Sequence, residues 1–169
     1  MIHAMSASAL SQMDQPAFVA APDGIFAHSP WVAGRAWPQR PFASREALLD
    51  SLVDTLRSAP RSDQLALIRA HPELAGKRAM HGALSAASIR EQLGAGLLAC
   101  MPEEFALIRD FNTAYKAKFG FPFVIAMSGL WRGDIIAAMA RRLAHEPEVE
   151  FAEALAQIAR IAALRLAER

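Results

Sequence analysis

A histidine stands directly before a proline in the segment AHPELAGK, residues 70–77. Because proline disfavours a helical conformation in the residue before it, the preceding helix should end at His71. An imidazole on such a rigid turn can project into a cleft, and its ordinary pKa of about 6.5 lets it donate or accept a proton near neutrality. The alternative is structural, a histidine that donates to the carbonyls of the last helical turn. His71 is therefore a candidate acid or base.

The segment LSAASIREQLGAG, residues 84–96, places three polar side chains on one predicted helix face. Ser88, Glu91 and Gln92 follow the i, i+3, i+4 spacing, so a hydroxyl, a carboxylate and an amide could bind one polar ligand together. A capping box is the alternative, with Ser88 as the N-cap and Glu91 merely closing the helix start. We favour Ser85 as the cap, which leaves Glu91 further into the helix and available to a ligand.

The segment KFGFPFVIAM, residues 118–127, interrupts an aromatic run with a glycine and a proline. The three phenylalanines are typical of a protein core. The break at 120–122 leaves backbone N–H and C=O groups that no helix satisfies, and in an apolar wall such groups can orient a small planar ligand. The segment itself is apolar and short, and its spacing does not distinguish strand from helix.

Other chemistries find little support in the sequence. No two of the five histidines have the spacing of an HExxH motif, and the chain has no CxxC. A metal-dependent hydrolase that uses His71, His81 and Glu91 stays open as an alternative. The glycines of LGAGL are predicted to lie inside an apolar helix, which argues against a dinucleotide fingerprint. Cys100 follows an apolar run and is interpreted as a small core residue rather than a nucleophile.

Helices should position these residues, because alanine is abundant and β-branched residues are few. Residues 18–42 are dense in proline, glycine and aromatics and predict short helices and turns. Further helices are expected to begin near Ser44, Ser62, Ser85, Pro102, Asp134 and Pro147, the one at Ser62 being short, and Gly120 should end the one that begins at Pro102.

One all-α domain accounts for the length and composition. The 169 residues are 53% hydrophobic, which suffices for a core, and we expect a disordered tail at 1–10 followed by a single helical-bundle domain at 11–169. A net charge of +1 gives no electrostatic case for nucleic acid or a membrane surface. The basic pair Arg141 and Arg142 is interpreted as a solvated helix face. A single thiol and an N-terminus unlike a signal peptide indicate a cytoplasmic protein.

Taken in order, these motifs resemble the OHCU decarboxylase family of the ureide pathway. The resemblance covers nearly the whole chain after the N-terminal tail. It is carried by HSPWVAGRAW (28–37), RPF (40–42), AHPELAGK (70–77), SxxEQxGAGL (88–97), NxxYxxKFGFPF (112–123) and RIAALRL (160–166).

The resemblance implies an all-helical fold, usually a homodimer, that uses no metal or organic cofactor. The implied reaction is decarboxylation of 2-oxo-4-hydroxy-4-carboxy-5-ureidoimidazoline to (S)-allantoin in urate breakdown. His71 matches the family's catalytic histidine, a proton donor, and Glu91 matches its essential carboxylate. The positions that match substrate-contacting residues are Pro72, Ser88, Ile89, Arg90, Gln92, Phe123, Val124, Ile125, Ala126, Met127 and Arg165.

Two positions depart from the family pattern. Ala27, before the histidine of HSPW, and Ala87, before the serine of SxxEQ, stand where members often have glutamate. Neither position matches a catalytic residue, so we expect changes in local capping or packing only. The sequence leaves open whether Arg165 or Arg142 contacts the substrate carboxylate. A non-catalytic all-α interaction module is the second hypothesis, but it gives Ser88, Glu91 and Gln92 no task.

Overall fold

A computed structural model describes residues 6–21, 25–26, 28–75 and 85–168. These residues form helices and connecting turns, with no β-strand among them, which confirms the predicted all-α class. The α-helices are α1 (Ala7–Ser11), α2 (Gln15–Ala20), α3 (Trp31–Ala36), α4 (Arg45–Ser58), α5 (Arg61–Arg69), α6 (Ala86–Gly94), α7 (Pro102–Phe119), α8 (Arg132–Leu143) and α9 (Pro147–Ala167). Within this part of the chain, no helix is both long and apolar enough to cross a membrane.

The described residues group into two compact units. Of the described residues, those up to Ala70 and from Ala159 onward form the first unit, and those from His71 to Ile158 form the second. The predicted bounds, a tail at 1–10 and one domain at 11–169, stay predictions. Within that predicted tail, residues 7–10 belong to α1, and Leu10 is buried.

The core of the first unit is built on the amphipathic helix α4. Ser44 caps it as predicted, since its hydroxyl accepts from the N–H of Ala47 at 3.0 Å. Leu48, Leu52 and Leu56 repeat at four-residue spacing and are buried, as the apolar pattern predicts. Helix α5 was expected to have Ser62 as its cap, but it begins one residue earlier, after Pro60. This prediction was wrong because a proline before the first turn can start a helix without a side-chain cap.

The core of the second unit is an aromatic cluster around Tyr115 on α7. The Tyr115 ring centre lies 4.5 Å from that of Phe119, 5.9 Å from Phe121 and 5.4 Å from Phe123. These tilted and edge-on arrangements are the favourable ones for aromatic rings. Phe121 and Phe123 are therefore core residues, as predicted, whereas Phe119 is half-buried. Gly120 ends α7 with φ +78°, a left-handed conformation that suits glycine.

The end of α6 differs from the prediction. LGAGL was expected to lie inside an apolar helix, but α6 ends at Gly94 and Gly96 adopts φ +75°. A Cβ on Gly96 would lie 2.5 Å from the Trp131 ring, whereas one on Gly94 would meet nothing within 4 Å. The helix therefore stops where the backbone turns left-handed beneath an indole ring.

The two glycines should respond to alanine in opposite directions. Gly96→Ala should lower the free energy of unfolding by about 1–2 kcal/mol, since it forces a Cβ into the left-handed region and displaces Trp131. Gly94→Ala should raise it by up to about 1 kcal/mol, because alanine favours the helix. Chemical denaturation of both variants measures the difference, and equal effects would contradict this account of Gly96.

Candidate active site

The loop that carries His71 is fixed by two side chains of the second unit. Helix α5 ends at Arg69, before the His-Pro pair as predicted, and His71 is buried. Further along this loop, the backbone N–H of Ala75 donates to Oε1 of Gln92 at 3.0 Å, and the carbonyl of Leu74 accepts from Nδ2 of Asn112 at 2.9 Å. Ala75 has φ +49°, a conformation that costs energy without glycine and needs such support.

The polar residues of α6 occupy the positions that the Ser85 cap predicts. The Ser85 hydroxyl accepts from the N–H of Ser88 at 3.2 Å and lies 3.1 Å from its Oγ. Ser88 and Gln92 are buried, and Glu91 is half-buried well beyond the first turn. The capping-box alternative for Ser88 is therefore wrong. Among the other candidate positions, Ile89 is half-buried, Arg90 is exposed, and Ala87 is half-buried.

Gln92 joins two of the sequence motifs, since it lies 17 positions after its partner Ala75. Its side-chain oxygen accepts from Ala75, and its Nε2 donor is available for a ligand. Asn112 binds the same loop from α7, although no role was predicted for it beyond its place in the family motif. Its spacing from Tyr115 and Ile108 on the buried face of α7 was the signal that could have identified it.

Residues 123–127 form a segment that belongs to no helix or strand. Phe123, Val124, Ile125 and Ala126 are buried, and Met127 is half-buried. Side chains satisfy part of this backbone: Arg142 donates to the carbonyl of Val124 at 2.7 Å, and the N–H of Ala126 donates to Oε1 of Gln157 at 2.9 Å.

The peptide groups of Ile125 are among the backbone groups of this segment that have no hydrogen-bond partner within the described residues. The carbonyl of Met127 accepts from the N–H of Leu130 at 3.0 Å, so it too has a partner. Within the described part of the chain, the N–H and C=O of Ile125 have no hydrogen-bond partner. Ile125, like Phe123, thus retains both backbone polar groups for a ligand, and Ile125 lies between the anchored carbonyl of Val124 and the anchored N–H of Ala126.

A buried ion pair that was not predicted from the sequence supports this segment. Arg142 was expected on a solvated face, but it is only 2% exposed and pairs with the fully buried Glu150 at 2.9 Å. Glu150 also accepts from the Tyr115 hydroxyl at 2.5 Å and lies 3.0 Å from Nδ1 of His145. The signal was its register, since Arg142 continues the buried stripe of Ile135, Ala138 and Met139.

At neutral pH, Glu150 of this network is ionised and Tyr115 is neutral. Burial disfavours the Glu150 carboxylate, but hydrogen bonds from Arg142, Tyr115 and His145 outweigh it and hold its pKa below the ordinary 4.5. Burial and the bond to Glu150 raise the pKa of Tyr115, which keeps its hydroxyl a donor at neutral pH. Because its guanidinium is committed to Glu150 and Val124, we assign Arg142 a structural role rather than a contact with the substrate carboxylate.

Arg165 is buried in the last turn of α9 and groups with the first unit. Its proposed contact with substrate stays a prediction. Cys100 is half-buried rather than a core residue, and burial followed by the charge of Glu104 raises its thiol pKa, which disfavours a nucleophilic thiolate. No metal-binding group of His, Cys, Asp and Glu occurs among the described residues. His81 of the hydrolase alternative and the departure at Ala27 lie outside the described residues.

Comparison with known proteins identifies the family. A family model described as OHCU decarboxylase matches residues 11–167. A 2-oxo-4-hydroxy-4-carboxy-5-ureidoimidazoline decarboxylase of Haloferax volcanii is 38% identical over 168 residues, which cover 99% of this chain and 98% of the relative. A uric acid degradation bifunctional protein of Bacillus subtilis is 40% identical over 159 residues, 94% of this chain but 31% of that protein.

A solved structure agrees with this similarity. The crystal structure of an OHCU decarboxylase in the presence of (S)-allantoin superposes with a TM-score of 0.69 and 25% identity, covering 85% of this chain and 93% of that one. The family match, the relative of nearly equal length and the shared helical fold agree with the motif order in the sequence. The chain belongs to the OHCU decarboxylase family.

Proposed function

We propose that this protein decarboxylates 2-oxo-4-hydroxy-4-carboxy-5-ureidoimidazoline to (S)-allantoin in urate degradation. The decarboxylase relatives support the reaction, since the one from Haloferax volcanii matches over 99% of this chain and 98% of its own length. The interaction-module alternative is not favoured, because it leaves this similarity to enzymes unexplained. The structural observation that carries the site is the pair of hydrogen bonds through which Gln92 and Asn112 fix the loop after His71.

The substrate brings its own electron sink, which is why we propose a reaction without a cofactor. Its carboxylate is attached to a ring carbon next to a C=N bond. When the C–C bond to the carboxylate breaks and carbon dioxide leaves, the electron pair moves toward the C=N and its nitrogen takes a proton. Loss of the 4-hydroxyl proton and protonation of the ureido-bearing carbon on one face then give (S)-allantoin.

We assign proton transfer to His71 and orientation to Glu91. His71 engages the 4-hydroxyl and delivers the proton to the intermediate. General acid–base catalysis of this kind increases the rate by about 10²–10⁴-fold. Glu91 accepts from N–H and O–H donors of the substrate and keeps the imidazole of His71 oriented. Its place on α6, the helix whose Gln92 binds the His71 loop, supports this pairing.

The remaining candidates bind and orient the substrate. Arg165 supplies a charged, forked donor for an anionic group of the substrate. The Ile125 N–H and C=O fix the ring, while Pro72, Ser88 and Gln92 shape the pocket. Ile89, Arg90, Phe123, Val124, Ala126 and Met127 complete the proposed set of lining residues. Positioning and preorganised charge provide the rate enhancement that proton transfer does not.

We also propose that the enzyme works as a cytoplasmic homodimer. The family resemblance supports the dimer, and a lone thiol, which cannot form an internal disulfide, suits a reducing compartment. Sedimentation equilibrium tests the assembly: a single species of twice the 18.3 kDa chain mass is expected, and a monomer at micromolar concentration would contradict the proposal.

Circular dichroism of the product tests the reaction. Substrate generated freshly from urate by uricase and hydroxyisourate hydrolase should yield an (S)-allantoin signal rapidly when the protein is present. A chelator should leave this signal unchanged, whereas a metal-dependent hydrolase would lose its activity. A signal no faster than the spontaneous, racemic background would refute the proposed function.

Glu91→Gln should lower kcat by about 10–100-fold, the effect of losing a charge-assisted hydrogen bond that orients a catalytic group. The variant keeps the size of the side chain and should fold normally. Glu103→Gln on the exposed first turn of α7 is the matched control and should turn over at the wild-type rate. Wild-type turnover by Glu91→Gln would leave Glu91 without a role in the reaction.

A further inference from the structure

Gln157 on α9 forms a hydrogen bond with the backbone of the 123–127 segment. Its Oε1 accepts from the N–H of Ala126 at 2.9 Å, and its Nε2 donates to Oε1 of Glu153, one turn earlier, at 2.8 Å. The two contacts fix which end of the amide faces the backbone, because an N–H needs an oxygen and a carboxylate needs a donor. Glu153 therefore orients Gln157, and Gln157 orients Ala126.

Arg142 anchors the other side of the same short stretch. Its guanidinium donates to the carbonyl of Val124, so side chains from α8 and α9 hold the backbone on both sides of Ile125. A segment outside any helix or sheet has no regular hydrogen bonds to set its peptide orientation. These two anchors therefore determine how the N–H and C=O of Ile125 are presented.

We propose that Gln157 is a positioning residue that sets the substrate affinity through Ile125. The proposal rests on the function proposed above, in which the Ile125 peptide groups fix the substrate ring. Gln157 is half-buried, and a leucine of similar size could occupy its place. Arg142 belongs to the buried network of Glu150 and Tyr115, whereas Gln157 touches the segment by a single acceptor. Its amide thus serves the placement of the peptide more than the stability of the core.

Leucine at position 157 removes the acceptor and leaves the Ala126 N–H unpaired. KM of Gln157→Leu should rise about tenfold, the effect of one lost hydrogen bond at a partly buried site. The kcat value should stay within about threefold, because the Ile125 groups contact the ring in both the ground state and the transition state. A role limited to folding would lower the melting temperature without changing KM of the folded enzyme.

Exchanging the two side chains provides a rescue. In the double variant Glu153→Gln, Gln157→Glu, a carboxylate oxygen accepts from Ala126 and the new amide at 153 donates to it, so both hydrogen bonds return. Its KM should lie within about twofold of wild type. Glu153→Gln alone still offers an amide oxygen to Nε2 of Gln157, so Gln157 keeps its orientation and its acceptor for Ala126, and KM should stay within about twofold of wild type as the matched control.

The experiment compares KM, kcat and melting temperature of the wild type, Gln157→Leu, Glu153→Gln and the double variant in the (S)-allantoin dichroism assay. A raised KM in Gln157→Leu with rescue in the double variant supports the proposal. Wild-type KM in a folded Gln157→Leu, or a double variant as impaired as Gln157→Leu, overturns it while the proposed function stands. A wild-type protein without turnover overturns the proposed function, and this inference with it.

Discussion

The His71→Ala variant should fold, and its kcat should be about 10²–10⁴-fold lower than that of the wild type. The loss should fall on kcat because the imidazole acts on the proton that moves in the reaction, whereas the other proposed contacts hold the substrate. Single-turnover measurements of (S)-allantoin formation by circular dichroism, with the spontaneous rate subtracted, provide the comparison. His71→Asn extends the test, since an amide can donate a hydrogen bond to the substrate but cannot exchange a proton with it near neutrality.

The fold should tolerate these substitutions because other groups hold the loop. The carbonyl of Leu74 and the N–H of Ala75 are bound by Asn112 and Gln92, and neither bond uses the imidazole. The matched control is His28→Asn, which removes an exposed imidazole at a residue with φ +46°, a conformation that asparagine tolerates. It should retain wild-type turnover. A His71→Ala protein that retained wild-type turnover would remove His71 from the mechanism.

Local signals in the sequence predict most of the helix boundaries. Ser44 and Ser85 are caps, Pro102 and Pro147 begin helices, and Gly120 ends one, each as expected. These residues act on their own backbone or on the next turn, so their effect is visible in a window of a few positions. The misjudged boundaries have weaker local signals: Pro60 starts α5 without a side-chain cap, and α6 ends in a left-handed glycine turn.

The candidate site is only partly accessible to such reasoning. The sequence singles out His71, Glu91 and the 123–127 segment, but no local pattern reveals what fixes them. Gln92 reaches Ala75 across 17 positions, Asn112 reaches Leu74 across 38, and Gln157 reaches Ala126 across 31. Contacts at such separations depend on how the helices pack. A glutamine or asparagine on a buried helix face indicates only that it needs some partner.

The burial of Arg142 was also not predicted, because it depends on a partner from another helix. Its position on the apolar stripe of α8 was visible in the sequence, but its charge favoured a solvated interpretation. A buried arginine is tolerable only with a carboxylate and further acceptors around it. Glu150 provides that carboxylate from α9, and the carbonyl of Val124 provides a further acceptor.

Glu150→Gln should therefore lower the free energy of unfolding by about 3–5 kcal/mol. The substitution keeps the shape of the side chain but leaves the buried charge of Arg142 without its counterion. It also weakens the acceptor of the Tyr115 hydroxyl. Glu148→Gln is the matched control, because it changes an exposed glutamate in the first turn of the same helix and should stay within about 0.5 kcal/mol of wild type. Urea unfolding at neutral pH compares the three proteins.

The pH dependence of unfolding separates the charge of Glu150 from its shape. Its pKa is lowered in the folded protein, so at acidic pH the unfolded chain binds the proton more readily. The stabilisation that this carboxylate provides is complete above the ordinary pKa of 4.5 and is lost as the pH falls through the lower, folded-state pKa. The free-energy gap between wild type and Glu150→Gln should accordingly be constant from pH 7 to about pH 5 and narrow below pH 4.5. If the free-energy gap stayed unchanged down to pH 3, the effect of the glutamine would come from disrupted packing. The ion pair between Glu150 and Arg142 would then not stabilise the segment that presents Ile125.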